Sequence, residues 1–238
     1  FIYSMMKKNI NQKNILLIEY YKMLNLTNII SDNPINRLKK KGHKNSFLSK
    51  ELKINILKEE INNIKNCDFK KKSKNIIFAD GNINSEIMIV GDYPNQIDEK
   101  LGLPFSGEIG ELFNKMFKAI NLNRSELYVT NVVNFKIPGV RKPTNNEIEK
   151  YIPFLKSHIE IINPKILVLL GSIALQSIFG KDKIISKERG KWFFKNIGDC
   201  KTNIIATFHP NFIINQPEQK KKSWSDLKLI RDKLILSK

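Results

Sequence analysis

From residue 75 onward, four short apolar runs alternate with four stretches of helical spacing, and this alternation limits the fold of the 238-residue chain more than any other feature. The runs lie at 87–90, 127–133, 166–170 and 203–207, each short enough to be one strand. Helical spacing fills 108–120, 145–162, 172–179 and 223–236. Strand, helix, strand, helix predicts a mostly parallel central sheet with helices on both faces, a three-layer α/β/α sandwich. Thr144 followed three residues on by Glu147 predicts a capping box at the start of the helix at 145.

Upstream of this unit, residues 1–74 read as a basic helical extension and linker. One helix is predicted over about 10–25 and a second over 48–66, the latter with Leu52, Ile56, Leu57 and Ile61 on one stripe. Between them lie a turn, Asp32-Asn33-Pro34-Ile35-Asn36-Arg37, and a lysine run at 39–41 that is polar enough for a mobile linker. The opening Phe1-Ile2-Tyr3-Ser4 is too short for a signal-peptide core, and a start at Met5 or Met6 is expected.

Two apolar runs end in motifs rich in Gly and Pro. After 87–90 come Gly91-Asp92-Tyr93-Pro94-Asn95 and then Gly102-Leu103-Pro104-Phe105-Ser106-Gly107; after 203–207 come Phe208-His209-Pro210-Asn211-Phe212. Loops placed this way at one edge of an α/β sheet predict a shared pocket of carboxylates, an aromatic ring and an imidazole.

Charge bears on the partner. The formal net charge is +18, which either marks a polyanionic partner such as nucleic acid or reflects a lysine bias that accompanies the many Asn and Ile codons of an AT-rich genome. Cys67 and Cys200 form no CxxC pair and fit a reducing compartment, while no apolar run approaches the roughly 20 residues of a membrane span. A cytoplasmic protein is expected. Trp192 and Trp224 are expected in the core.

Several short strings fall in a fixed order: Phe78-Ala79-Asp80-Gly81, the two Gly/Pro motifs above, Thr130-Asn131-Val132-Val133, Pro138-Gly139-Val140-Arg141-Lys142-Pro143, Leu170-Gly171, Arg189-Gly190-Lys191-Trp192 and His209-Pro210. Their order and spacing resemble the family 4 uracil-DNA glycosylases, over roughly residues 75 to 236. The resemblance implies a uracil-DNA glycosylase-like fold, with 75–238 as the catalytic domain. The implied enzyme is a monofunctional hydrolase that cuts the N-glycosidic bond of uracil in DNA and leaves an abasic site. It also implies roles. Asn131 would read the base edge, Phe105 would stack on the base, and His209 would stabilise charge on the departing base. Asp92 or Asp98 would orient the water, a choice the sequence leaves open. Tyr93 would border the base; Arg141, Lys142, Arg189, Asn211, Phe212 and Ile213 would grip DNA, the last three including an apolar wedge.

The departures matter as well. The family's usual Gly-Glu-Ala-Pro-Gly is here Gly91-Asp92-Tyr93-Pro94-Asn95. The four cysteines that hold the family's [4Fe–4S] cluster align with Ile64, Cys67, Phe135 and Tyr151, and one thiolate cannot hold such a cluster. A cluster-free member without metal or organic cofactor is expected, acting as a monomer on uracil-containing DNA. Three alternatives stand beside this one: a degenerate fold that binds DNA without cutting it, a hydrolase of free nucleosides or nucleotides, and a glycosylase of broader base preference.

Overall fold

The computed structural model describes residues 48–65, 67–139 and 141–236. The helix expected over 10–25, the turn at 32–37, the lysines at 39–41 and the proposed start residues lie outside the described residues.

Six strands form one sheet in the order β1-β3-β2-β4-β6-β5: β1 (Ala79–Gly81), β2 (Ile87–Gly91), β3 (Tyr128–Asn131), β4 (Ile166–Leu170), β5 (Trp192–Ile197) and β6 (Cys200–Thr207). The four inner strands, β3, β2, β4 and β6, run parallel, while β1 and β5 close the two edges antiparallel. The inner strands are the four runs read from the sequence. Being buried on both faces, they carry side chains of alternating destination. Met88, Val90, Leu167, Leu169, Ile204 and Ala206 enter one apolar cluster, and Ile87, Ile89, Ile166, Val168, Leu170 and Ile205 enter the other.

Helices cover both faces, giving the expected three layers. On the first lie α1 (Lys50–Asn62), α2 (Asp68–Lys72), α5 (Asn145–Glu149), α6 (Ile152–Ile162) and α7 (Ser172–Phe179), whose buried residues join the first cluster. On the second lie α4 (Gly107–Lys118) and α10 (Lys220–Leu236), which contribute Phe113, Phe117, Leu227 and Ile230. Three short helices complete the set: α3 (Gln96–Leu101), α8 (Ile185–Glu188) and α9 (Pro210–Asn215).

Local chemistry explains where the structure departs from the periodicity. The stretch 145–162 is two helices, because Pro153 in the first turn of α6 lacks the N–H that a continuous helix needs there. The capping box at its start is present, with Glu147 N donating to Thr144 Oγ1 at 3.4 Å and Thr144 N to Glu147 Oε2 at 2.7 Å. In α1 the buried face is Ile54, Leu57 and Ile61, whereas Leu52 and Ile56 point to solvent, so the expected stripe was rotated. That face packs with Leu155 and Ile159 of α6, so α1 shares the core of the α/β unit. Trp224 is 40% exposed and so is not a core residue, whereas Trp192 is half-buried and packs against the second cluster, with the Lys233 ammonium over its ring. On the outer strand β5, Phe194 stands 67% exposed.

Candidate active site

The parallel strands deliver their carboxyl ends to one side of the sheet, and a cleft of about 600 Å³ opens there. Asp92 follows β2, Asn131 ends β3, and His209 comes two residues after β6. Gly91 and Asn131 are register partners across β2 and β3. A Cβ on Gly91 would collide with Asn131 Oδ1 and the edge of the Phe105 ring, so a glycine is what lets the amide and the ring meet. Asn131 is 3% exposed, and its carboxamide hydrogen-bonds to no other described residue. It borders the cleft with donor and acceptor both available.

Phe105 sits in the left-handed region at φ 52°, a strained setting for an aromatic residue. Arg124 holds it there. Its guanidinium donates to the carbonyls of Phe105 at 3.0 Å and Pro104 at 2.5 Å, while Nε donates to Asp80 Oδ2 at 2.6 Å. The Phe105 ring stacks on Phe113 at 4.8 Å and on His209 at 5.2 Å.

His209 caps α9. Its Nδ1 accepts from Asn211 N at 3.2 Å, so the neutral ring carries its proton on Nε2. Burial pulls the imidazole down to about 4, so at neutral pH it is an uncharged donor. His158 is different in kind. It lies in the core, Nε2 2.6 Å from Tyr128 Oη and stacked on Phe78.

Asp92 is half-buried at the cleft, its Oδ1 accepting from Ala174 N at 2.8 Å at the start of α7. Gly171 has φ 112°, and a Cβ there would strike the Asp92 carboxylate, with Cγ at 2.6 Å. Burial raises the carboxyl to about 7, against the pull of the amides of Ala174, Ile173 and Ser172 and the charge of Lys142. A carboxylate so placed can accept a proton near neutrality. Tyr93, also at the cleft, is pushed up by burial and then by Asp92.

Asp98, the other acidic candidate, borders the same cleft but is occupied. Its Oδ2 accepts from Asn95 N at 2.8 Å and its Oδ1 from Ser106 N at 2.6 Å, which ties the loop after Gly91 to the turn that holds Phe105. Asp98 thus braces the two loops, and of the two acidic candidates the sequence left open, Asp92 is the one with a carboxylate oxygen that accepts from no described side chain.

The expected DNA-gripping residues divide. Lys142, Asn211 and Phe212 line the cleft. Arg141 forks onto Glu147 at 2.8 and 2.7 Å and covers the Phe69 ring. Arg189 is committed to Asp226 and the Lys222 carbonyl, which removes it as a free phosphate cation. Ile213 is 1% exposed within the second apolar cluster, so it cannot act as a wedge. Arg124 and Asp226 had no sequence signal, because their partners are carbonyls and side chains from distant segments; Gly171 stood in the Leu170-Gly171 string, but its closeness to Asp92 shows only in the fold.

The sequence profile of the Uracil DNA glycosylase superfamily matches residues 78–228, well over half of the chain. The chain belongs to this superfamily. All the cleft residues named above fall within the matched stretch, whereas helix α1 precedes it. Among curated relatives, the type-4 uracil-DNA glycosylase of Archaeoglobus fulgidus is 34% identical, over 72% of this chain and 88% of its own. That of Sulfurisphaera tokodaii is 34% identical over 76% and 85%, and that of Thermotoga maritima 32% over 70% and 85%. For a uracil-DNA glycosylase superfamily member, the meeting of Asn131, Phe105 and His209 in one cleft is the point of chemical interest.

Proposed function

We propose that the protein is a monofunctional uracil-DNA glycosylase, which hydrolyses the bond between uracil and deoxyribose in DNA and opens base excision repair. The observation that carries this reading is the unpartnered Asn131 carboxamide beside the Phe105 ring and the neutral His209, all in one cleft. A base in a duplex must leave the stack to reach such a cleft. There the amide accepts from uracil N3–H and donates to O4, a pattern that cytosine reverses, leaving buried groups unpaired. Phe105, 3% exposed and braced by Phe113 and His209, backs the base with the ring edge that lines the cleft.

Chemistry follows from the other two side chains. Water attacks C1′ as the C1′–N1 bond breaks, and the bonding pair leaves with the base. His209 Nε2–H donates toward O2, where negative charge grows in the transition state. Asp92 orients the water, accepts its proton, and can return it to the uracil anion. Lys142 and Asn211 face the strand, where cations and amides meet phosphates.

In this reading no metal or organic cofactor takes part. The positions that align with the family's cluster ligands do not fit iron: Cys67 Sγ lies 3.1 Å from Tyr151 Oη, Phe135 is buried, and Ile64 packs on the same core. The reading takes the enzyme as a monomer. The buried free thiols of Cys67 and Cys200 favour a reducing compartment, the cytoplasm. No helix among the described residues is long and apolar enough to cross a membrane.

The test is an end-labelled oligonucleotide with a single uracil, incubated with the protein and then treated with alkali. Cleavage at uracil, lost or strongly reduced in Asn131→Asp, is the expected result. A shifted duplex without cleavage would instead make the protein a DNA binder, and turnover confined to free deoxyuridine would make it a nucleoside hydrolase.

A further inference from the structure

Arg189 and Asp226 form an ion pair that does not line the cleft and is mostly buried, with side-chain exposures of 16% and 1%. Asp226, on α10, is 1% exposed. Its Oδ1 accepts from Arg189 Nη2 at 2.5 Å, and its Oδ2 from Arg189 Nε at 3.0 Å and Thr207 Oγ1 at 2.5 Å. The same guanidinium lies 5.3 Å over the Phe208 ring and donates to the Lys222 carbonyl. Ser223 Oγ stands 3.2 Å from Thr207 Oγ1. Gly190, at φ 70°, bonds from its N–H to the Ala206 carbonyl at 3.0 Å, and a Cβ on it would fall 2.5 Å from Asp226 Oδ1. The three residues before His209 are therefore all held from one side by this group.

We infer that the Asp226–Arg189 pair is a positioning device for His209, which fixes the end of β6 and Phe208 so that the imidazole stays stacked on Phe105 with Nε2–H toward the cleft. The inference rests on the glycosylase reading above. A buried ion pair is a weak source of stability, because desolvation offsets most of its attraction, and hydrocarbon of similar volume often serves the fold as well. What hydrocarbon cannot supply here is direction. The carboxylate fixes the Thr207 hydroxyl and the guanidinium at once, and the guanidinium in turn spans Phe208. A donor to a developing oxyanion is sensitive to such placement, since a shift of about 1 Å can cost about 100-fold in rate.

The experiment uses the double variant Arg189→Met/Asp226→Leu, which removes both charges together, and Arg189→Lys, which keeps a charge but loses the planar fork. Single-turnover uracil excision, duplex affinity, thermal midpoint and the 15N imidazole spectrum of His209 are read for each. The expected result is a rate lowered about tenfold or more in both variants, with affinity within about twofold. The His209 signal should lose the single Nε2–H tautomer signature of the wild type. A rate equal to wild type in a folded double variant would overturn the inference. So would a rise in dissociation constant with the chemical step unchanged, which would make Arg189 a phosphate contact. If the wild type fails to excise uracil, the glycosylase reading falls, and the imidazole spectrum still reports whether the pair positions His209.

Discussion

Phe105 and His209 stack with ring centroids 5.2 Å apart and planes 23° from parallel, so the ring and the imidazole form one wall of the cleft. Replacing His209 with alanine should lower the single-turnover rate by about 100-fold to 1,000-fold, the usual loss for one oxyanion donor. Duplex binding, measured by fluorescence anisotropy, should remain.

As the proposed base, Asp92 should give the reaction its pH dependence. It titrates at about 7 in the fold, while His209 stays neutral down to about 4. The single-turnover rate should therefore rise through about pH 7 and level off above it, and Asp92→Asn should be slow and flat across that range. Stability moves the other way. An unfolded chain loses this proton near 3.8, well below the folded value, so the fold binds the proton more tightly. The contribution is present at acid pH and is lost as pH rises from about 3.8 through about 7. Asp92→Asn should accordingly melt higher than wild type at pH 8 and equal to it at pH 3.5, by differential scanning calorimetry.

Gly91 is where Asn131 and Phe105 approach each other. Gly91→Ala should displace one or both, with loss of uracil excision of about 100-fold or more, because misplacement of about 1 Å suffices for that. A crystal structure of the variant should show the Phe105 ring moved away from β2.

Arg124 restrains a strained residue. Arg124→Ala removes the donors to the Pro104 and Phe105 carbonyls and leaves Asp80 without its partner. The expected cost is about 1–3 kcal/mol in urea unfolding, with a lower excision rate. Arg124→Lys should recover part of the stability through Asp80 but little of the rate, since one ammonium cannot reach both carbonyls in the plane of a fork.

Much of this fold was legible in the chain. β2 and β4 are continuous apolar runs because both their faces are covered, and β3 and β6 carry shorter apolar stretches, so all four stood out. The edge strands did not. β1 has three residues and β5 is only partly buried, which leaves a weak alternation. The loop motifs led to Asn131, Phe105, His209 and Asp92, because Gly and Pro punctuate the ends of the strands that carry them. What the chain could not reveal was occupancy: Asp98 and Arg189 have the residue types of functional groups, yet each is taken up by partners that come near only after folding. Ile213 failed for a related reason, since α9 turns it inward while Phe212 keeps to the cleft.

Among the described residues, strand β5 is paired along one side only, and its Phe194 is 67% exposed. An unguarded edge of this kind invites a second molecule to extend the sheet. Charge stands against it. Each copy carries a formal +18, so two copies meeting edge to edge repel, and counter-ions screen that repulsion beyond about 8 Å at physiological ionic strength. The lysine surplus thus guards colloidal solubility, whatever polyanion the protein meets, and the guard weakens in concentrated salt, the condition commonly chosen to strip nucleic acid from basic proteins.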